Sequence, residues 1–312
     1  MVKKEYDVVI IGSGPAGLCA SIYSIRANLS TIVISGVTPG GQLMLTTDVE
    51  DYPGFPGGIQ GPELMQRMIE QAKKLNVDFL DEDVTKVNLK GKIKKSYVGK
   101  QEISSKVVII ATGSSAKWLG LKSEKRLTGR GVSACAVCDG AFFKDKDVAV
   151  IGGGDTALRE TLFLAKICKT VTVVHRRDEL RAQKILQDRS FKTKNVKFIW
   201  NSEVEEFIGS QKLEAIKLKD VKTNKLSELK VSGAFVAIGH TPNTKFLDGS
   251  GIELHGPGYI KVHDNVKTDV EGVFAAGDVH DYRYMQAVTA AGAGCMSAME
   301  ADSYIENLKH KK

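Results

Sequence analysis

The sequence predicts an α/β protein built from two Rossmann-like, three-layer ββα dinucleotide-binding domains. Three observations carry this. An apolar run near the N-terminus ends directly in a glycine-rich turn. The same run and turn return 140 positions later. A chain of 312 residues exceeds one typical domain and allows two, each large enough to bury its own core.

The first copy starts with Asp7-Val8-Val9-Ile10-Ile11, a short buried strand, followed at once by Gly12-Ser13-Gly14-Pro15-Ala16-Gly17. From Leu18 to Ala27 the composition is helical with no breaker, and Thr31-Ile32-Val33-Ile34 reads as a second strand. Glycines in such a turn let backbone approach a pyrophosphate, whose charge then faces the helix N-terminus. The second copy runs Val148-Ala149-Val150-Ile151, then Gly152-x-Gly154-Asp155-Thr156-Ala157, a helix-like stretch from Leu158 to Ile167, and Val171-Thr172-Val173-Val174. Gly12 to Ser35 and Gly152 to His175 both span 23 positions, so the copies are in register.

The ends of the second strands assign the ligands. The first runs into Ser35-Gly36, without the acid that commonly holds an adenosine ribose. The second runs into His175-Arg176-Arg177, with Arg181 a turn further on. Guanidinium groups there suit a 2′-phosphate, and two charge-assisted contacts at roughly 1.5–3 kcal/mol each favour NADPH over NADH by about two to four orders of magnitude. With NADPH in the second site, FAD is expected in the first, because a hydride acceptor is needed between nicotinamide and a disulfide. Val107 to Ile110 followed by Ala111-Thr112-Gly113, and Gly272 to Ala276 followed by Gly277-Asp278, are further strand-and-turn stretches that fit a flavin site.

Between the two turns lies Cys135-Ala136-Val137-Cys138-Asp139-Gly140. Two cysteines at this spacing serve either a dithiol/disulfide couple or half a zinc site. No second cysteine pair exists and no histidine stands at ligand spacing, so no metal is expected. Asp139 is placed to move protons to or from a thiolate, a role compatible with capping the turn before Gly140.

Composition excludes other classes. The chain is 42% hydrophobic and 26% charged, as ordinary globular proteins are. No apolar run approaches a membrane span. Met1-Val2-Lys3-Lys4 and the apolar residues after it imitate a signal peptide, but Gly12-Ser13-Gly14-Pro15 cuts the run. Five unevenly spaced cysteines suit a reducing compartment, so a cytoplasmic protein is expected. The net charge of +7 comes from scattered lysines, with one dense stretch at Lys309-His310-Lys311-Lys312 and no interleaved aromatics, so nucleic acid is not an expected partner.

From Tyr6 to about Ile305 the chain resembles the low-molecular-weight thioredoxin reductases, on the two glycine turns, Gly40-Gly41-Gln42-Leu43, Ala111-Thr112-Gly113, the Cys motif just before the second turn, His175-Arg176-Arg177 with Arg181, and Gly277-Asp278. The resemblance implies a discontinuous FAD-binding domain, 1–116 and 241–312, with an NADPH-binding domain, 117–240, inserted in it. It implies a hinge at the two crossings, a homodimer, and thioredoxin as protein substrate. FAD would meet Gly12, Ser13, Gly14, Pro15, Ala16, Gly41, Gln42, Leu43, Asp51, Ala111, Thr112, Gly113, Gly277, Asp278, Gln286 and Ala287. NADPH would meet Gly152, Gly154, Asp155, Thr156, His175, Arg176, Arg177, Arg181 and Ile238. In the family the second cysteine, here Cys138, faces the flavin, the first, here Cys135, attacks thioredoxin, and Asp139 is the general acid and base. Related readings keep the flavin and dithiol and change the partner, run the dithiol to oxygen, or leave a silent flavin-binding module.

Three positions depart from the family pattern: Met285 where a basic residue is usual, Arg159 where an acid is common, and Asp51 where an Asn is often seen. Cys19, Cys168 and Cys295 read as small buried hydrophobes. Phe142-Phe143 reads as core before docking surface, and the Lys-rich segment 84–106 as a surface hairpin.

Overall fold

The computed structural model describes residues 3–46 and 48–310; Met1 and Val2 of the N-terminal stretch and Lys311 and Lys312 of the basic one lie outside them. The chain forms two compact units, Met1–Ser115 with Thr241–Lys312, and Ala116–His240.

In the first unit, β1 (Glu5–Ile11), α1 (Pro15–Arg26) and β2 (Thr31–Ile34) flank the first glycine turn. Pro15 opens α1, where a missing N–H costs nothing. A small ribbon of β3 (Asp48–Val49) and β4 (Ile59–Gln60) precedes α2 (Gly61–Lys74), which leads to β5 (Asp78–Leu80). Then β6 (Val84–Asn88), β7 (Lys94–Val98) and β8 (Gln101–Ile110) run antiparallel, and the chain leaves through β9 (Ser114–Ala116).

The second unit comprises α3 (Lys122–Leu127), β10 (Val132–Ser133), α4 (Ala136–Asp139), β11 (Asp147–Ile151), α5 (Asp155–Leu164), β12 (Thr170–Val174), α6 (Lys184–Lys192), β13 (Val196–Ile199), the meander β14 (Ser202–Ile208), β15 (Ala215–Asp220) and β16 (Leu226–Lys230), and β17 (Gly233–Val236). The chain returns through β18 (His240–Pro242) and completes the first unit with β19 (Leu254–His255), β20 (Tyr259–Ile260), β21 (Val273–Ala275) and α7 (Ala287–His310).

The first sheet has the order β5-β2-β1-β8-β7-β6. β8 is long enough to take β7 on Gln101–Ser105 and β21 on Val108–Ile110. β5, β2, β1, β8 and β21 are mutually parallel. Val8 to Ile11 and Val107 to Ile110 are buried throughout, as strands covered on both faces must be. The segment 84–106 is a hairpin, but only one of its faces is at the surface. Val87, Val98 and Ile103 alternate into the core, and Lys94 lies 2% exposed with its ammonium bonded to Gly91 O. α1 and α7 pack so closely that a Cβ at Gly294 would meet Ala16 O at 2.1 Å.

The second sheet is parallel, β10-β17-β11-β12-β13, with the antiparallel meander as a separate layer. Ala149, Ile151, Ala234 and Val236 face Phe207, Ile216 and Leu218 of that meander in one core. Both dinucleotide-type folds predicted from the glycine repeat are therefore present. No helix among the described residues is long and apolar enough to cross a membrane.

Candidate active site

The first glycine turn sits at the C-terminal ends of β1, β8 and β21, where parallel sheets bind ligands. Gly12 has φ +111°, and a Cβ on it would lie 2.3 Å from Ala111 O; one on Gly17 would lie 1.9 Å from Gly12 O. These two glycines are required by the fold. Gly14 differs: its backbone is extended, φ −70° and ψ −176°, and a Cβ there meets nothing within 4 Å.

Ser13 ties a second loop onto this turn. Its hydroxyl donates to Ser35 O at 3.1 Å and accepts the Gly40 N–H at 3.0 Å. Gly41 thereby comes within 3.3 Å, at its Cβ position, of Gly14 Cα, and Gln42 and Leu43 follow it in the 3-10 turn Gly41–Leu45. Ala111 N–H donates to Ile11 O and Ala276 N–H to Ile110 O, which carries Gly277 to within 3.0 Å of Ala16 Cβ by the same measure. Thr112 is committed to structure: its hydroxyl donates to Asn243 O, and its carbonyl accepts from the Asn243 amide.

Asp278 lies at the mouth of this cluster. Burial, reinforced by Asp281, pushes its carboxyl up to about 7, and among the described residues no hydrogen bond reaches it. A half-buried carboxyl without a donor suits a ligand hydroxyl. Asp281 instead accepts the N–H groups of Arg283 and Tyr284 and shapes the turn before α7. Gln286 bonds Tyr284 O and Ala287 starts α7. Arg283, the base nearest Met285 in sequence, lies over the ring of Tyr284. Asp51 stands exposed between β3 and β4, and no hydrogen bond ties it to the glycine cluster.

The second unit repeats this logic. Gly152 has φ +151°, and its Cβ position is 2.4 Å from Ala237 O, just as Gly12 abuts Ala111. Gly154 is extended, φ −98° and ψ −176°, with nothing within 4 Å of its Cβ position. Gly153 lies beneath the His175 ring, 2.4 Å from Cε1 at its Cβ position. The segment after His175 is a loop, not a helix start, because its N–H groups are used elsewhere: Arg181 and Ala182 donate to Gly153 O, and Gln183 donates to Asp155. Asp155 thus fastens the arginine loop to the turn, with Thr156 exposed beside it.

Arg176, Arg177 and Arg181 are exposed, and among the described residues no carboxylate engages any of the three. Burial holds the His175 imidazole below its ordinary range, and Arg181, Arg176 and Arg177 press the same way against the opposing Glu179 carbonyl. Three uncommitted guanidinium groups beside a glycine turn are a ready phosphate site. Ile238, half-buried, closes the strand end after Ala237.

The dithiol motif precedes this turn in the same unit. Cys135 and Cys138 form a disulfide with Cα atoms 5.4 Å apart. Ser133 Oγ accepts the Cys135 N–H at 3.0 Å, Cys135 Sγ accepts the Cys138 N–H at 3.2 Å, and Cys135 O accepts the Asp139 N–H. Ala136 is 1% exposed and anchors the turn in the core, whereas Val137 is exposed. The two phenylalanines divide their roles: Phe143 packs edge-on against Phe235, and Phe142 is exposed. Cys19, Cys168 and Cys295 are unpaired, and Cys168 lies in the turn after α5, not within a helix. No cluster of metal-ligating side chains occurs among the described residues.

Residue patterns alone did not single out Gly153, Gln183 or Ala237. Ala237 had a signal, since Ala237-Ile238-Gly239 after an apolar strand repeats Ala111-Thr112-Gly113. The other two act through contacts that no local spacing encodes.

Two nucleotide-type turns and a disulfide on one chain define a pyridine-nucleotide-linked disulfide oxidoreductase. The model of the pyridine nucleotide-disulphide oxidoreductase family matches residues 6–294, and the chain belongs to that family. It is 50% identical over 305 residues to a thioredoxin reductase of Streptomyces coelicolor, covering 97% of this chain and 94% of the relative. It is also 50% identical over 309 residues to that of Rickettsia conorii, covering 97% and 99%. Among solved structures, the thioredoxin reductase from Streptococcus pyogenes is 42% identical with a TM-score of 0.93, covering 98% of this chain and 100% of that one. That from Giardia duodenalis is 39% identical with a TM-score of 0.94.

Proposed function

We propose that this chain is an NADPH-dependent thioredoxin-disulfide reductase that carries FAD on its first unit and NADPH on its second. The observation that carries the reading is the Cys135–Cys138 disulfide, set beside a glycine turn flanked by three unpaired arginines. Open space at Gly14 and Gly154 fits a pyrophosphate at each turn, and the donorless Asp278 carboxyl fits a flavin-side hydroxyl. The proposed FAD contacts are the Gly12–Ala16 turn, Gly41 to Leu43, Asp51, Ala111 to Gly113, Gly277, Asp278, Gln286 and Ala287. Those for NADPH are Gly152, Gly154, Asp155, Thr156, His175, Arg176, Arg177, Arg181 and Ile238.

When bound, FAD supplies a two-electron relay between nicotinamide and disulfide. The chain's own residues do the rest. Arg176, Arg177 and Arg181 hold the 2′-phosphate. In the reduced dithiol, the Cys135 thiolate attacks one sulfur of the thioredoxin disulfide and releases the other as a thiolate. Cys138 then attacks Cys135 Sγ, frees the second thioredoxin sulfur and restores the Cys135–Cys138 disulfide. Asp139 moves the proton at Cys138. Exposed Tyr23, Met296 and Met299 on α1 and α7 support a homodimer, and the three unpaired cysteines support a cytoplasmic setting.

The test is NADPH-driven reduction of a disulfide dye with and without thioredoxin. Activity should depend on both NADPH and thioredoxin. Activity that ignores thioredoxin would overturn the partner, and NADH working as well as NADPH would overturn the arginine assignment.

A further inference from the structure

Trp200 takes part in none of the steps above, yet it touches both ends of the arginine loop. It stands half-buried between β13 and β14, its ring stacked on Phe198 of β13 at a centroid distance of 5.1 Å and an interplanar angle of 6°. An edge contact to His175, centroids 6.4 Å apart at 77°, reaches the residue that opens the loop. Phe191 belongs to α6, the helix that starts directly after the loop, and its ring lies 6.4 Å from the Trp200 ring and 4.8 Å from that of Phe198. The backbone follows the rings: Asn201 N–H donates to Arg177 O and Ser202 N–H to His175 O. His175 passes the constraint on. Its ring covers Gly153, and its Nε2 donates to Glu179 O at 3.1 Å, inside the loop.

We propose that Trp200 is the positioning residue of the 2′-phosphate site: by bracing the His175 ring and Phe191 it holds the arginine loop in the shape that meets the phosphate. This rests on the reading of Arg176, Arg177 and Arg181 as the phosphate-binding groups. Those side chains are exposed and no carboxylate among the described residues orients them, so the backbone that carries them sets their direction. The ion pair of Asp178 with Lys222, exposed at both ends, adds little hold on the loop. A loop already ordered before binding loses less on meeting its ligand, and stacked rings order it with few rotatable bonds. The glycine turn does not depend on this stack. Gly152 is set against Ala237 O, so the pyrophosphate site should stand without Trp200.

The test is binding of NADP+ and NAD+, which differ by the 2′-phosphate alone, to the full chain. Titration calorimetry gives the Kd for NADP+, and competition against it gives that for NAD+. Trp200→Leu should raise the Kd for NADP+ about tenfold, the loss of roughly one charge-assisted contact, and leave that for NAD+ within about twofold. Trp200→Phe keeps a ring against Phe198 and should bind NADP+ within about threefold of wild type. Should Trp200→Leu fail to fold, by circular dichroism, Phe191→Ala removes the α6 end of the stack from an exposed position and should raise the Kd for NADP+ about threefold with NAD+ unaffected. A Kd for NADP+ unchanged in the Leu or Ala variant, equal losses for both nucleotides, or a Phe variant as weak as the Leu variant overturns the proposal. Wild type that binds NADP+ no tighter than NAD+ overturns the arginine assignment itself. Wild type that prefers NADP+, with a Leu variant that keeps the same preference, overturns only the role of Trp200.

Discussion

The contrast between Gly152 and Gly154 gives the most decisive prediction, because the two glycines are present for different reasons. In Gly154→Ala the backbone is already extended, and the new methyl meets no protein atom within 4 Å. The fold should lose nothing, and the stiffer unfolded chain should add about 0.4–1 kcal/mol. A bound pyrophosphate would meet that methyl. Displacing it from one or two backbone N–H groups removes charge-assisted bonds of about 1.5–3 kcal/mol each, so the Kd for NADPH should rise at least about tenfold. In Gly152→Ala the methyl lands 2.4 Å from Ala237 O and 2.9 Å from Ala157 Cβ, at φ +151°. That combination of clash and strain should cost the fold about 3 kcal/mol or more. Thermal unfolding of nucleotide-free protein and titration calorimetry with NADPH separate the two effects. The reasoning fails if Gly154→Ala binds NADPH within about twofold of wild type, or destabilises as much as Gly152→Ala.

The other predictions concern charge. Arg176→Ala and Arg177→Ala should each raise KM for NADPH roughly 10- to 150-fold and leave KM for NADH nearly unchanged; steady-state kinetics with both cofactors reads this, and equal losses would refute the 2′-phosphate assignment. Asp278 has its carboxyl raised from 3.8 to about 7 by burial and by Asp281. For a raised acid the stabilising contribution is complete below the unfolded value and is lost as pH rises toward the folded one. Asp278→Asn should therefore stabilise flavin-free protein above about pH 7, on the order of 2 kcal/mol, and do nothing near pH 4; thermal unfolding across that window checks the sign. The same variant should retain less flavin on dialysis, because a neutral amide is a weaker acceptor. Asp139→Asn should slow dithiol–flavin exchange more than flavin reduction by NADPH, and equal slowing of both half-reactions in stopped flow would count against a proton role.

The glycine turns were legible because their chemistry is local. Gly12, Gly17 and Gly152 are fixed by backbone atoms next to them, so spacing in sequence is spacing in space. The two-domain fold follows, since each turn needs its flanking strand and helix. What stayed hidden is tertiary. Gly140 meets Leu164 across 24 positions, and Gly153 is fixed by a histidine from the end of the next strand. The segment 84–106 was half misread because lysines dominate it, yet period two sends Val87, Val98 and Ile103 inward and even Lys94 is submerged along its stem. His175-Arg176-Arg177 could be placed at a strand end but not shaped, because the loop conformation depends on Gly153 O and Asp155 accepting its amides.

Those same contacts explain why nucleotide turn and dithiol occupy one unit. The first residue of α5, Asp155, secures the arginine loop through Gln183, and its last two, Phe163 and Leu164, support Gly140. One rigid helix therefore sets the geometry of both the phosphate site and the cysteine turn, although no residue of either site touches the other through side-chain chemistry of its own. A substitution on the core side of α5 should disturb both together. One on the exposed side, where Arg159 lies, is free to alter charge near the nucleotide without moving the cysteines. The Cys motif stands just before the second glycine turn in sequence for a physical reason: α5, which begins at that turn, is the surface on which the dithiol is built.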